Sequence, residues 1–239
     1  MPLFTDKIEA ADYPKMSAEY QDLLRRILTI QADCEIGGPH MYVSGILLKA
    51  PTVEDQYRMA RIVAEEMDHF RKVNNLLKEI GYDASDRLRV ANRQRYLETF
   101  RGQIKSWVDM SAFGCLIDRV GKYQLQELYD GSYQPATRML PKVMMEEEGH
   151  IAFGAAKLRE YCRTERGKEL AQVAINHWWV MALDMFGRSN SARTERYIEW
   201  GIRKRTNEEG RRQYIEEASA VIRDMGLQVP DVHAGRKYL

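Results

Sequence analysis

Glu147-Glu148-Gly149-His150 interrupts an apolar stripe made of Leu140, Val143, Met144, Ile151, Gly154 and Leu158, which recurs at helical spacing. Three residues along a helix return to nearly the same face. Glu147 and His150 therefore stand side by side where a dry interior is expected. The arrangement occurs again: Glu66-Met67-Asp68-His69 lies among Met59, Ile62, Val63, Phe70, Val73 and Leu77. One Glu-x-x-His pair is common on helix surfaces and carries little information. Two pairs, each displacing stripe residues, point to a metal.

Each pair is preceded by an acid on an earlier helix. Glu35 lies 31 residues before Glu66, and Asp118 lies 29 before Glu147. The spacing reads as two helical hairpins, each with a lone carboxylate and then Glu-x-x-His. Ser17 caps a first helix running to about Leu47, in which Gly37-Gly38-Pro39 predicts a distortion just after Glu35. Pro51 and Thr52-Val53-Glu54-Asp55 start a second helix that Gly81 ends. Residues 82–105 read as a mixed connection with one short helix near 88–100. Ser106 opens a third helix ending by Gly131, and Pro135 opens a fourth to about Cys162. Three further helices follow over 168–186, 191–203 and 207–225, and residues 1–16 form an irregular arm. With no strand pattern and no linker, the expectation is a single all-α domain over 1–239. Its core bundle covers about 17–163 and its extra helices about 165–226.

The ligand candidates Glu35, Glu66, His69, Asp118, Glu147 and His150 all fall near the middle of their helices. In an up-down bundle, mid-helix positions meet at one level. Four ionised carboxylates gathered there would cost many kcal/mol, or would take up protons, unless cations balanced them. Two divalent ions cancel four negative charges, and two imidazoles complete a nitrogen and oxygen shell. This is the ligand set of ferritin-like di-iron or di-manganese bundles. Oxygen and nitrogen donors without thiolate favour iron or manganese over zinc-finger chemistry. Glu65 and Glu146, four residues before the two histidines, are candidates to orient the imidazoles.

Bulk properties exclude other classes. Apolar content of 44% and charged content of 30% describe an ordinary globular chain. A formal charge of +1 gives no general pull toward nucleic acid or an anionic membrane. The basic clusters Arg203-Lys204-Arg205 and Arg211-Arg212 read as solvated helix faces. Cys34, Cys115 and Cys162 are far apart, which fits a reducing compartment. The N-terminus shows no signal-peptide pattern, and no run approaches the ~20 apolar residues of a membrane span. The expected compartment is the cytoplasm.

These motifs resemble those of the catalytic di-iron subunit of bacterial phenylacetyl-CoA epoxidase, a ring 1,2-monooxygenase of the ferritin-like phenylacetic acid catabolic family. The benzoyl-CoA epoxidase oxygenase is a more distant relative. The matching segments are Cys34-Glu35-Ile36, Glu65-Glu66-Met67-Asp68-His69, Leu116-Ile117-Asp118 and Glu146-Glu147-Glu148-Gly149-His150. Trp178-Trp179, Met185-Phe186-Gly187, Asn190-Ser191-Ala192-Arg193, Thr206-Asn207-Glu208 and Met225-Gly226-Leu227-Gln228-Val229-Pro230-Asp231 extend the similarity over most of the chain. Ile62 stands where the family carries a lysine, and the family's C-terminal extension has no counterpart before Leu239. The resemblance implies a monooxygenase with two irons at those six ligands, which activates O2 to epoxidise an aromatic, CoA-linked substrate. It also implies a separate flavin and iron–sulfur reductase, and a related helical subunit or a second copy as partner. Ferritin-like iron oxidation and a non-catalytic structural role in an oxygenase complex are the competing expectations.

Overall fold

The computed structural model describes residues 4–238. Met1 to Leu3, part of the expected arm, and Leu239, the end of the expected domain, lie outside it. The fold is all-α, a ferritin-like helical bundle followed by further helices. The described residues form α1 (Ala18–Met41), α2 (Val53–Glu79), α3 (Trp107–Leu128), α4 (Gln134–Tyr161), α5 (Glu165–Met185), α6 (Ala192–Glu199) and α7 (Asn207–Asp224). The chain divides into two compact units. One comprises Met1–Gln103, Glu127–Val143 and Arg193–Lys204; the other comprises Ile104–Gln126, Met144–Ala192 and Arg205–Leu239.

In the first unit, α1 and α2 start on side-chain caps. Tyr20 N–H donates to Ser17 Oγ over 3.2 Å, and Asp55 N–H donates to Thr52 Oγ1 over 3.1 Å. Such caps contribute about 1 kcal/mol each. The helix α2 ends where Gly81 adopts φ +85°, with Tyr82 N–H donating to Leu77 O and Gly81 N–H to Lys78 O. These paired bonds satisfy carbonyls that the helix end would otherwise orphan. The two helices bury Leu24, Leu28 and Ile36 from α1, and Met59, Ile62, Phe70, Val73 and Leu77 from α2.

The expected distortion after Glu35 falls later. Gly37, Gly38 and Pro39 remain helical and buried, and the break comes at a π-helical turn, Tyr42–Ile46, where Gly45 takes φ +132°. Gly38 lacks the Cβ that a following proline ring would strike, so the helix tolerates Pro39. Gly37 has a separate duty, since a Cβ there would lie 2.8 Å from the Phe100 ring.

The connection after α2 holds three short 3-10 turns, Ser85–Arg89, Asn92–Gln94 and Glu98–Arg101, in place of the one helix expected near 88–100. A buried ionic network explains the difference. Asp33 Oδ1 accepts from Arg87 Nε (2.9 Å) and Arg95 Nη1 (2.8 Å), and its Oδ2 accepts from Tyr96 N–H (2.7 Å). Arg95 also donates to Arg87 O, and Arg87 to Gln94 O. These side chains take backbone groups that a continuous helix would have bonded internally. Arg95 donates in addition to His40 Nδ1 over 2.8 Å. Burial and the Arg95 charge hold that imidazole below its usual pKa, which suits an acceptor.

The N-terminal arm is held by backbone bonds. Ile8 N–H donates to Ser132 O, Gln134 N–H to Ile8 O, and Phe4 N–H to Glu199 O, the last at the end of α6. An isolated bridge pairs Ile8 with Tyr133.

In the second unit, α5 and α7 brace α3. Trp178 Nε1 donates to Asp109 Oδ1 (2.6 Å), and its ring stands edge-on to Phe113. Tyr214 on α7 donates to Leu116 O over 3.1 Å. Arg211 is no surface cation. It is buried and donates to Leu183 O and Gly187 O, where α5 ends. Arg211 thereby satisfies carbonyls at a helix terminus and sets its positive charge against the negative end of the α5 dipole. Gly154 lets α4 meet α3 backbone to backbone, because a Cβ there would lie 2.6 Å from Cys115 N and 2.7 Å from Gly114 C. Gly154→Ala should therefore destabilise the protein by about 1–3 kcal/mol, the usual range for overpacking. Urea unfolding checks this; an unchanged midpoint would contradict the close approach.

Candidate metal centre

The first unit gathers three of the expected ligands. Glu35 comes from α1, and Glu66 and His69 come from α2, one turn apart on its buried face. His69 Nδ1 lies 3.5 Å from Glu35 Oε2 and 3.9 Å from Glu66 Oε2. One ligand atom from each of the three lies within 4.8 Å of the others, a geometry that could hold a metal ion. Ile62, one turn before Glu66, is buried too, so this face of α2 is apolar up to the acid.

The second unit gathers the other three. Asp118 comes from α3, and Glu147 and His150 from α4. His150 Nδ1 lies 3.7 Å from Glu147 Oε2, and ligand atoms of Asp118 and His150 lie within 4.8 Å of each other. Two glycines of α3 lie beside the carboxylates: a Cβ on Gly114 would stand 3.5 Å from Asp118 Oδ2, and one on Gly121 would stand 4.0 Å from Glu147 Oε2, both ordinary contact distances.

None of the six ligand candidates is more than 9% exposed. Each unit thus buries two carboxylates with one imidazole. Ionised carboxylates in such surroundings cost several kcal/mol each unless balanced, and a divalent cation balances two. Burial raises the pKa of Cys34 well above its ordinary value, with Asp33 and Glu35 adding to the shift, and burial raises Cys115 as well. The donor set is oxygen and nitrogen, which suits iron or manganese.

Glu65 pairs with Arg61 at 3.0 Å and with Arg58 at 3.4 Å along its own helix. Glu146 is half-buried, and Cys115 is buried. His177 and His233 are exposed, His177 with its ring against Trp178.

A family model for phenylacetic acid catabolic proteins matches residues 6–238. The chain belongs to this family. Among curated relatives, a 1,2-phenylacetyl-CoA epoxidase subunit from Escherichia coli K12 is 28% identical over 230 residues. That alignment covers 94% of this chain and 73% of the relative. Component B of the benzoyl-CoA oxygenase of Aromatoleum evansii is 25% identical over 226 residues, covering 82% of this chain and 48% of the relative.

Reading the sequence missed Gln31 as part of the centre. Gln31 Nε2 donates to Glu35 Oε1 over 2.6 Å. Its place in the apolar stripe of α1, one turn before a candidate ligand, was the available signal.

Anaerobic addition of Fe(II) or Mn(II) at 100 times the dissociation constant should stabilise the native protein by about 2.7 kcal/mol for each ion bound. Glu66→Ala and Glu147→Ala should abolish most of that gain without lowering the melting temperature of the metal-free protein. Calorimetry with and without metal checks both; a full gain in either variant would remove that residue from the ligand set.

Proposed function

We propose that Glu35, Glu66, His69, Asp118, Glu147 and His150 jointly bind two iron ions, and that the protein is an oxygenase. In this reading it activates O2 to epoxidise an aromatic substrate carried as a CoA thioester. The observation that carries it is the buried doubling of acid and Glu-x-x-His, one set in each compact unit. The relatives support the substrate class, one belonging to a phenylacetyl-CoA epoxidase and the other to a benzoyl-CoA oxygenase.

When bound, a pair of ferrous ions would supply open coordination positions and electrons for reducing O2. The carboxylates would bind and neutralise the ions, while His69 and His150 would supply nitrogen donors. The apolar stripe around each Glu-x-x-His excludes water that would otherwise quench a reactive oxygen species. Overall, O2, two electrons, two protons and the aromatic ring yield the epoxide and water. The electrons need an outside donor, since three scattered cysteines and no Gly-rich dinucleotide fingerprint leave this sequence without its own flavin or cluster motif. A separate flavin and iron–sulfur reductase fits that need. Both relatives are named as parts of larger enzymes, which supports assembly with further chains, such as a related helical subunit or a second copy. No helix among the described residues is long and apolar enough to cross a membrane. A cytoplasmic location is part of the proposal.

The test is single-turnover chemistry under 18O2. The iron-loaded, chemically reduced protein is mixed with phenylacetyl-CoA or benzoyl-CoA, and products are read by mass spectrometry. One 18O atom per product is expected, with Asp118→Ala reducing turnover at least 100-fold. Full iron loading and O2 consumption without label in any thioester would point to iron oxidation. Iron content well below two per chain would overturn the di-iron reading.

A further inference from the structure

Gln31 is a buried polar group that the ligand set alone does not explain. It lies one turn before Glu35 on the inner face of α1, 6% exposed, where the stripe of Leu24 and Leu28 calls for another aliphatic residue. Burying an amide costs about 1–3 kcal/mol unless it finds a partner. Here the partner is a proposed metal ligand, reached by a 2.6 Å bond from Nε2 to Glu35 Oε1.

The bond distinguishes the two oxygens of Glu35. Oε1 is tied to the amide, while Oε2 faces the imidazole of His69 at 3.5 Å. We propose that Gln31 is a positioning residue that fixes the Glu35 carboxylate with one oxygen toward the metal and the other held back. This rests on the reading of Glu35 as a metal ligand. The residue type suits the task for two reasons. An amide is neutral, so it adds no charge to a centre already holding several carboxylates. It also presents a hydrogen-bond donor at every pH, which an acid in its place would not. A helical spacing of four residues keeps the bond within one rigid element. A carboxylate without this tether would rotate about its last side-chain torsion, where the barrier is low and the preference broad.

The test uses Co(II) as a probe in the full-length protein, with Gln31→Met, Gln31→Asn and Glu35→Ala. Three quantities are read: cobalt per chain, the rate of cobalt release to EDTA, and the visible ligand-field spectrum. Gln31→Met keeps the side-chain length without a donor, and Gln31→Asn keeps an amide that falls short of Glu35. Both should still bind two cobalt ions, release one of them roughly 10–100-fold faster, and show a shifted ligand-field band. A structural role alone would lower the melting temperature of the metal-free protein and leave the spectrum and release rate native; that outcome overturns the proposal. If Gln31→Met does not fold, Gln31→Asn decides alone. Glu35→Ala separates the two levels of the claim. If it loses a cobalt ion while the Gln31 variants behave as native, the positioning role falls and the ligand reading stands. If it keeps both ions and the native spectrum, the ligand reading falls and takes the positioning role with it.

Discussion

Buried negative charge is the constraint on which this protein is built. Glu35 and Glu66 lie within reach of His69 in one compact unit, and Asp118 and Glu147 lie near His150 in the other. Removing a carboxylate from water is costly enough that isolated ones are rare in protein interiors. Packing α1 against α2, and α3 against α4, is therefore compatible with these acids only if something offsets the charge. A bound cation would offset it, and would convert a destabilising cluster into a binding site whose affinity contributes to the folded state.

Much of the remaining structure holds those helices at the right separation. Gly154 brings α4 against the backbone of α3 one turn from His150. The helices α5 and α7 fix α3 from outside through Trp178 to Asp109 and Tyr214 to Leu116. In the first unit, Asp33 points away from the ligands and binds Arg87, Arg95 and the Tyr96 amide, which pins residues 85–101 to α1. The same helix thus carries two buried acids with different compensation. Asp33 is balanced by arginines, and Glu35 has an amide at one oxygen and an imidazole near the other. That contrast separates a structural carboxylate from a candidate ligand.

The helices were legible because apolar periodicity and end signals are local. Ser17 and Thr52 cap where their sequence context places them, and Gly81 ends its helix in the left-handed conformation. The distortion expected just after Glu35 was displaced by a neighbour, since Gly38 relieves the clash at Pro39 and the helix breaks later, at Gly45. The other errors arose where distant residues override local preference. Residues 88–100 read as a helix, yet Arg87 and Arg95 reach a buried aspartate more than fifty residues away and take the backbone partners a helix needs. Arg211 reads as surface charge, yet it is buried at the end of α5.

By itself the sequence determined the all-α class and the two Glu-x-x-His pairs. It also determined the two lone acids that accompany them, because each is written in residue type and spacing within one or two helices. Only the tertiary structure decided which oxygen of Glu35 faces His69, that Gln31 holds the other, and which acid on α1 belongs to arginine. Those are choices of orientation, set by side chains brought together from separate helices or by rotations within one. No periodicity along the chain records them.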